Sequence, residues 1–160
     1  MRFLLLDRIT SLERDRATAV KCVSLADDVF VDHFPGHPVL PGTLIVEALA
    51  QLGGVLAEAA MRTEATRPEA VQTELHALLT MIHKAKFRRV VRPGDRMELE
   101  AKLVTVSEDG GQVRGTAMVD GQLAAEAELG FAFAKVTNER LIAHRRAILE
   151  VWLHGTIESP

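Results

Sequence analysis

The spacing of hydrophobic and polar residues changes its period along the chain. Residues 1–9 and 17–25 are short and rich in aliphatic and β-branched residues, and the charged segment 11–16 separates them, so we predict two strands and a turn. From Thr43 to Arg62 the apolar positions instead follow a helical period and surround the helix almost completely. Its thin polar stripe consists of Glu47, Gln51, Glu58 and Arg62. A helix of this kind is normally buried, so the pattern predicts a core helix.

After a polar connection around Pro68, the period returns to that of strands. Four segments are typical of strands: residues 76–87, 95–107, 112–120 and 122–133. Asp120-Gly121, between the last two, is a strong hairpin signal. Two strands, a long buried helix and four further strands predict an α+β domain in which a curved antiparallel sheet wraps around one central helix.

The end of the chain has an amphipathic pattern of its own and predicts a C-terminal helix. Thr137 or Asn138 can cap its N-terminus, Glu139 suits its first turn, and Gly155 suits its end. The apolar stripe at helical spacing consists of Leu141, Ile148 and Trp152. Such a stripe needs a partner surface. We expect it to pack on its own subunit, with a neighbouring subunit as the alternative.

Composition and charge narrow the classes of function. A chain of 160 residues with 48% hydrophobic and 26% charged residues has the balance of one globular domain. Its net charge of -3 disfavours a nucleic-acid binder. Cys22 is the only cysteine and no two histidines have convincing metal-ligand spacing, so we predict neither a disulfide nor a metal site. The first apolar run is soon interrupted by Asp7 and Arg8, so we predict a cytoplasmic protein without a membrane span.

The candidate chemistry lies in residues 33–42, HFPGHPVLPG, which contain three of the six prolines and two histidines. The prolines exclude a helix or a central strand and predict a rigid loop. His33 can act as a base, because an imidazole titrates near neutral pH, whereas we expect His37 to brace the loop. Gly42 lets a ligand approach the N-H groups at the start of the helix, which can hold a developing oxyanion.

Glu47 lies about one turn inside the helix among aliphatic residues. Burial favours its neutral acid form, whereas the helix dipole favours the carboxylate. If burial dominates, Glu47 is a proton donor. A neutral base, a protonated acid and an oxyanion site together suit loss of water from a 3-hydroxyacyl compound. The pair Gly53-Gly54 in the same helix is expected to serve close packing rather than catalysis.

Residues 33–54, HFPGHPVLPGTLIVEALAQLGG, resemble the signature of the β-hydroxyacyl-acyl carrier protein dehydratases of the FabZ type. The resemblance includes residues 3–9, 86–103 and 119–132, which are similar to other recurring segments of that family. It therefore covers about residues 3–134 in order and without large gaps.

The resemblance implies the hotdog fold for residues 1–136, followed by an additional helix within residues 137–160. It also implies cofactor-free dehydration of a (3R)-3-hydroxyacyl chain on acyl carrier protein, in fatty acid or related acyl-chain biosynthesis. His33 maps onto the family's base and Glu47 onto its acid, and Gly42 or the next residue would hold the thioester oxygen. Because the family draws the base and the acid from different subunits, we expect a homodimer or a larger homo-oligomer built from dimers.

The chain departs from the family pattern at three points, one of which is the terminal helix. Asp32 precedes the histidine where the family usually has glycine. The chain also has no tyrosine, so the family's aromatic substrate gate needs a substitute, for which Phe30 and Phe34 are candidates. Pro41 and Gln51 are further candidates for lining the loop and the substrate tunnel.

Residues 84–96 form a basic patch of six basic residues and one acid on a chain of net charge -3. This patch is a candidate docking surface for the acidic carrier protein, with a merely solvated strand edge as the alternative. Its candidate docking residues are Lys84, Lys86, Arg88 and Arg89. Two other functions stay open, namely a hotdog thioesterase in which Glu47 activates water and a non-catalytic acyl-binding partner subunit.

Overall fold

A computed structural model of the chain describes residues 3–64, 74–155 and 157–158. The polar connection around Pro68 lies outside the described residues. A short 3₁₀ helix, Asp28–Val31, precedes the proline-rich loop. The other elements are β1 (Arg8–Leu12), β2 (Arg16–Cys22), α1 (Gly42–Glu64), β3 (Glu74–Phe87), β4 (Arg96–Ser107), β5 (Gly110–Val119), β6 (Gln122–Val136), α2 (Glu139–Leu153) and β7 (Ile157–Glu158).

One sheet with strand order β3-β6-β5-β4-β2-β1-β7 wraps around α1. All neighbouring strands are antiparallel except β1 and β7, which pair in parallel. Helix α1 packs against β2, β3, β4, β5 and β6, and Leu49, Leu52 and Leu56 are fully buried between helix and sheet. The predicted architecture of a sheet around one central helix is therefore confirmed.

Helix α1 is apolar because it is the core of the fold. Residues Gly42–Arg62 are long and apolar enough to cross a membrane by length and composition, but 78% of that stretch is buried inside the protein. A Cβ atom on Gly53 would lie 3.1 Å from Val113 and 3.3 Å from Phe131 of the sheet. Larger side chains would therefore force helix and sheet apart. The close-packing role predicted for Gly53-Gly54 is confirmed at Gly53, whereas a Cβ atom on Gly54 would make ordinary contacts of 3.7 Å with Ala77 and Phe131.

The first strand differs from the prediction. β1 begins only at Arg8 and ends at Leu12, so it includes residues 11 and 12, which were expected to form a turn. The turn that follows is tight and is closed by the Glu13 N-H, which donates to the Arg16 carbonyl. The apolar side chains of Leu5 and Leu6 are buried in the core, at 8% and 3% exposure, although these residues do not belong to a paired strand. Placing the first strand within residues 1–9 was therefore wrong for residues 3–7.

Helix α2 packs on its own subunit, as predicted. Asn138 is its N-cap and accepts the N-H groups of the first turn. Trp152 is 3% exposed, and Arg145 donates to both carboxylate oxygens of buried Glu58 at 3.1 Å. Leu141 was expected on the packed side but is 57% exposed, because the next residue, Ile142, takes the buried position in the first turns of α2, while Trp152 is buried as expected.

Candidate active site

Hydrogen bonds within the proline-rich loop fix the orientation of His33. Its Nδ1 lies 2.7 Å from the Val39 carbonyl oxygen, and the Val39 N-H donates back to the His33 carbonyl at 3.0 Å. A carbonyl oxygen can only accept, so the neutral imidazole carries its proton on Nδ1. Its Nε2 therefore keeps a free lone pair and can take up a proton.

Backbone contacts stiffen the loop around this histidine. The His37 N-H donates to the Phe34 carbonyl at 2.8 Å, and the Phe34 N-H donates back at 3.2 Å, so the backbone of His37 makes the expected brace. Phe34 stacks on His33 with ring centroids 4.0 Å apart and is 53% exposed. Phe30, the other gate candidate, is buried in the core, whereas Asp32 is exposed.

A cleft of 470 Å³ opens between this loop, the start of α1 and the end of β3. Gly42 is the first residue of α1, and a Cβ atom there would lie 2.6 Å from the Phe87 ring, so a larger residue would require this ring to move. The Leu44 N-H donates to the Pro41 carbonyl at 3.0 Å, whereas the N-H groups of Gly42 and Thr43 have no acceptor within the helix and can bind a ligand. The candidate residues that line this cleft are His33, Pro41, Gly42, Arg88 and Arg89.

Glu47 and Gln51 lie on another side of α1 and do not line the cleft. Glu47 is five residues after Gly42, which places it ~7.5 Å further along the helix and ~140° around it. Its Oε1 accepts a hydrogen bond from Gln51 Nε2 at 3.0 Å. Gln51 in turn binds the backbone of Phe3 and Leu5. One subunit therefore does not bring the predicted base and acid together.

Two of the four arginines of the basic patch, Arg88 and Arg89, have acidic partners that sequence reasoning missed. Arg88 contacts Glu126 at 2.8 Å, whereas Arg89 contacts Asp120 at 3.1 Å and donates to the Val119 carbonyl at 3.0 Å. These acids belong to β6 and the β5–β6 turn, so only the pairing of distant strands could have indicated the contacts.

The lysines of the patch also lie beside acids of β6. Lys84 is opposite Glu128 in the strand register, and Lys86 is opposite Glu126. The hydrogen bond from Arg88 holds the pKa of the Glu126 carboxyl below its usual value despite some desolvation, and the charges of Lys84 and Lys86 lower it further. The patch is therefore partly neutralised. Arg88 and Arg89 are held in ion pairs, whereas Lys84 and Lys86 form no ion pair among the residues that the structure describes and can turn towards a partner.

Comparison with known proteins adds independent evidence. The FabA-like domain family matches residues 1–128. The 3-hydroxyacyl-[acyl-carrier-protein] dehydratase FabZ of Campylobacter jejuni is 44% identical over 128 residues, which cover 79% of this chain and 84% of the relative. The FabZ of Geobacillus sp. is 41% identical over 138 residues, covering 86% and 89% of the two chains.

A solved structure supports the fold. The crystal structure of smu.793 from Streptococcus mutans, bound to acetyl CoA, superposes with a TM-score of 0.61 at 13% identity, over 79% of this chain and 87% of that one. At this identity the likeness shows the shared hotdog fold alone. The family match and the identity to FabZ over most of both chains show more: this chain belongs to the FabA-like domain family, among the FabZ-type 3-hydroxyacyl-[acyl-carrier-protein] dehydratases.

Proposed function

We propose that this protein dehydrates (3R)-3-hydroxyacyl-acyl carrier protein to the trans-2-enoyl thioester in fatty acid biosynthesis, without a cofactor and in the cytoplasm. The observation that carries the proposal is the 41–44% identity to FabZ enzymes across most of the chain. The catalytic unit is the hotdog domain of residues 1–136, and residues 137–160 are an appended helical tail.

His33 is the base that removes the proton from C2 of the substrate. The Val39 carbonyl, 2.7 Å from Nδ1, supports this role in two ways. It holds the tautomer whose Nε2 is unprotonated, and its dipole stabilises the imidazolium that forms once Nε2 has taken the proton. The position of His33 in the cleft beside the start of α1 gives the thioester a place to bind.

Gly42 provides the site for the thioester oxygen. Loss of the C2 proton places negative charge on that oxygen, and the N-H of Gly42 or of Thr43 can donate to it at the positive end of the helix dipole. The Phe87 ring, against which Gly42 packs, covers one side of this position and limits access of water.

Glu47 of the partner subunit protonates the departing hydroxyl group. The C3–O bond then breaks, the C2=C3 double bond forms, and water leaves; solvent returns Glu47 to its acid form and removes the proton from His33. A partner must supply Glu47 because, within one subunit, it lies on another side of α1 from the cleft that His33 lines. Phe34, stacked on His33 and half exposed, is placed to act as the aromatic gate.

The edge strand β3 supports assembly into a homodimer or a larger homo-oligomer built from dimers. It lies at one end of the sheet and carries Leu78, Met81 and Ile82, each more than half exposed. A long apolar edge strand is an aggregation hazard unless another strand covers it. Pairing of β3 with β3 of a second copy would cover these side chains and bring the two α1 helices close together.

Incubation of the purified protein with a series of 3-hydroxyacyl-acyl carrier proteins tests the proposal. We expect a conjugated enoyl thioester, detected by its absorbance and by mass, with no release of free thiol. Thiol release without enoyl product would identify a thioesterase in which Glu47 activates water. Binding without either product would identify a non-catalytic acyl-binding subunit.

Carrier docking is a separate prediction, tested at Lys84 and Lys86 because Arg88 and Arg89, the other two docking candidates, are engaged with acids. Replacing both lysines with glutamine is expected to raise KM for carrier-bound substrate about 5-fold at low ionic strength, since exposed charges act on encounter with an acidic partner. The kinetics with a short free thioester, which needs no carrier, should be unchanged. The matched control, Lys102→Gln with Arg140→Gln, removes the same charge at exposed positions outside the patch. An equal loss on both substrates would place the damage in the pocket.

A further inference from the structure

Side chains of α1 and α2 hold the extended segment Phe3–Leu6. The Phe3 carbonyl accepts from Gln51 Nε2 at 2.9 Å, and the Leu5 N-H donates to Gln51 Oε1 at 2.9 Å. The Leu6 carbonyl accepts from the indole Nε1-H of Trp152 at 2.9 Å. Strand pairing starts only at the next residue, where the Asp7 N-H donates to the Val20 carbonyl. The position of this segment therefore depends on both helices.

The segment fixes the orientation of the Gln51 amide. Its oxygen accepts from the Leu5 N-H, while its nitrogen donates to the Phe3 carbonyl and to Glu47 Oε1. If the amide were flipped, its NH2 group would face the Leu5 N-H, and its oxygen would face the Phe3 carbonyl and Glu47 Oε1. Because Gln51 donates to Glu47 Oε1, the proton of a neutral Glu47 resides on Oε2. That oxygen is then the one presented to the leaving hydroxyl.

Trp152 is the polar link between α2 and this segment. Both Trp152 and Leu6 are 3% exposed, so the indole N-H and the carbonyl have little access to water as a substitute partner. The Arg145 guanidinium lies over the indole, 5.9 Å from the ring centroid. Beside them, Phe3 and Leu4 face α2 across an open groove of 530 Å³, so apolar packing fixes the segment at Leu5 and Leu6 but not at Phe3 and Leu4.

We propose that Trp152 is a positioning residue for the catalytic acid, acting through the Phe3–Leu6 segment and the Gln51 amide on Glu47. The inference rests on the proposed dehydratase function. It adds a part of the chain that lies beyond residues 1–128, the range matched by the family. In this protein the C-terminal helix thus helps to orient the oxygen that donates the proton.

Trp152→Phe tests the proposal because it removes the N-H and keeps the buried ring. We expect kcat to fall about 10-fold with KM for a short thioester unchanged, since a displaced acid affects the chemical step more than binding. Leu149→Ala is the control, because Leu149 is a partly buried residue of α2 whose truncation lowers the melting temperature but leaves the Trp152 hydrogen bond in place. An equal fall in kcat in the two variants would overturn the proposal and leave Trp152 a structural residue.

A double-mutant cycle tests the route through Gln51. In a Gln51→Leu background, where the amide is already absent, Trp152→Phe is expected to cause little further loss of kcat. Multiplicative losses would show that Trp152 acts independently of Gln51 and would overturn the inference. Failure of the proposed function is distinguishable, because the unchanged protein would then form no enoyl product. If the unchanged protein is active and Trp152→Phe leaves kcat unchanged, only the positioning role is contradicted.

Discussion

Replacing His33 with alanine, or Glu47 with glutamine, is expected to lower kcat for dehydration by ~10²-fold or more, the range for general acid-base groups. Alanine removes the Nε2 lone pair that takes the C2 proton. Glutamine keeps the shape of Glu47 and can still accept from Gln51, but its amide has no acidic proton that it can transfer to the leaving hydroxyl. Initial rates of enoyl thioester formation, measured at saturating substrate and compared with the melting temperature of each variant, provide the measurement.

His37→Ala is the matched control for the histidine. Its ring is exposed and it braces the loop through its backbone, so alanine can make the same contacts. We expect its turnover to stay close to that of the unchanged protein. Near-normal turnover in His33→Ala would remove the imidazole from the mechanism, and near-normal turnover in Glu47→Gln would remove the carboxylic acid.

Much of the fold could be predicted because it depends on local periodicity. The helix expected over Thr43–Arg62 runs over Gly42–Glu64, and the four strands expected after it are present with ends that differ by a few residues. The first strand was misplaced because an apolar run indicates burial without indicating what covers it. The side chains of Leu5 and Leu6 are buried in the core, and their backbone groups form hydrogen bonds with the side chains of Gln51 and Trp152.

The candidate site, too, could be predicted only as far as it depends on local sequence. The sequence places His33, Gly42 and Glu47 on a loop and on the first turns of a helix, and these positions hold in the structure. It does not reveal that the cleft and the carboxyl group lie on different sides of α1, because the direction from which the loop approaches the helix is set by tertiary packing and has no local signal. The contact between Trp152 and Leu6 joins residues 146 positions apart and has no local signal.

Mixing the two inactive variants is expected to restore activity, because the proposed site takes His33 from one subunit and Glu47 from the other. After random exchange between His33→Ala and Glu47→Gln chains, half of the dimers are mixed, and each mixed dimer has one intact site, so the mixture should regain about a quarter of full activity. Enoyl formation is followed before and after exchange, and mass measurement of tagged chains reports the mixed dimers.

The converse mixture makes the test decisive. A chain carrying both substitutions, exchanged with the unchanged protein, spoils both sites of every mixed dimer, so the activity of the unchanged chains should fall by about half. A site built within one subunit requires the opposite pair of results, with no recovery in the first mixture and no loss in the second. Either result despite proven exchange would show that Glu47 serves the histidine of its own chain, which would require α1 or the loop to move from the arrangement described above.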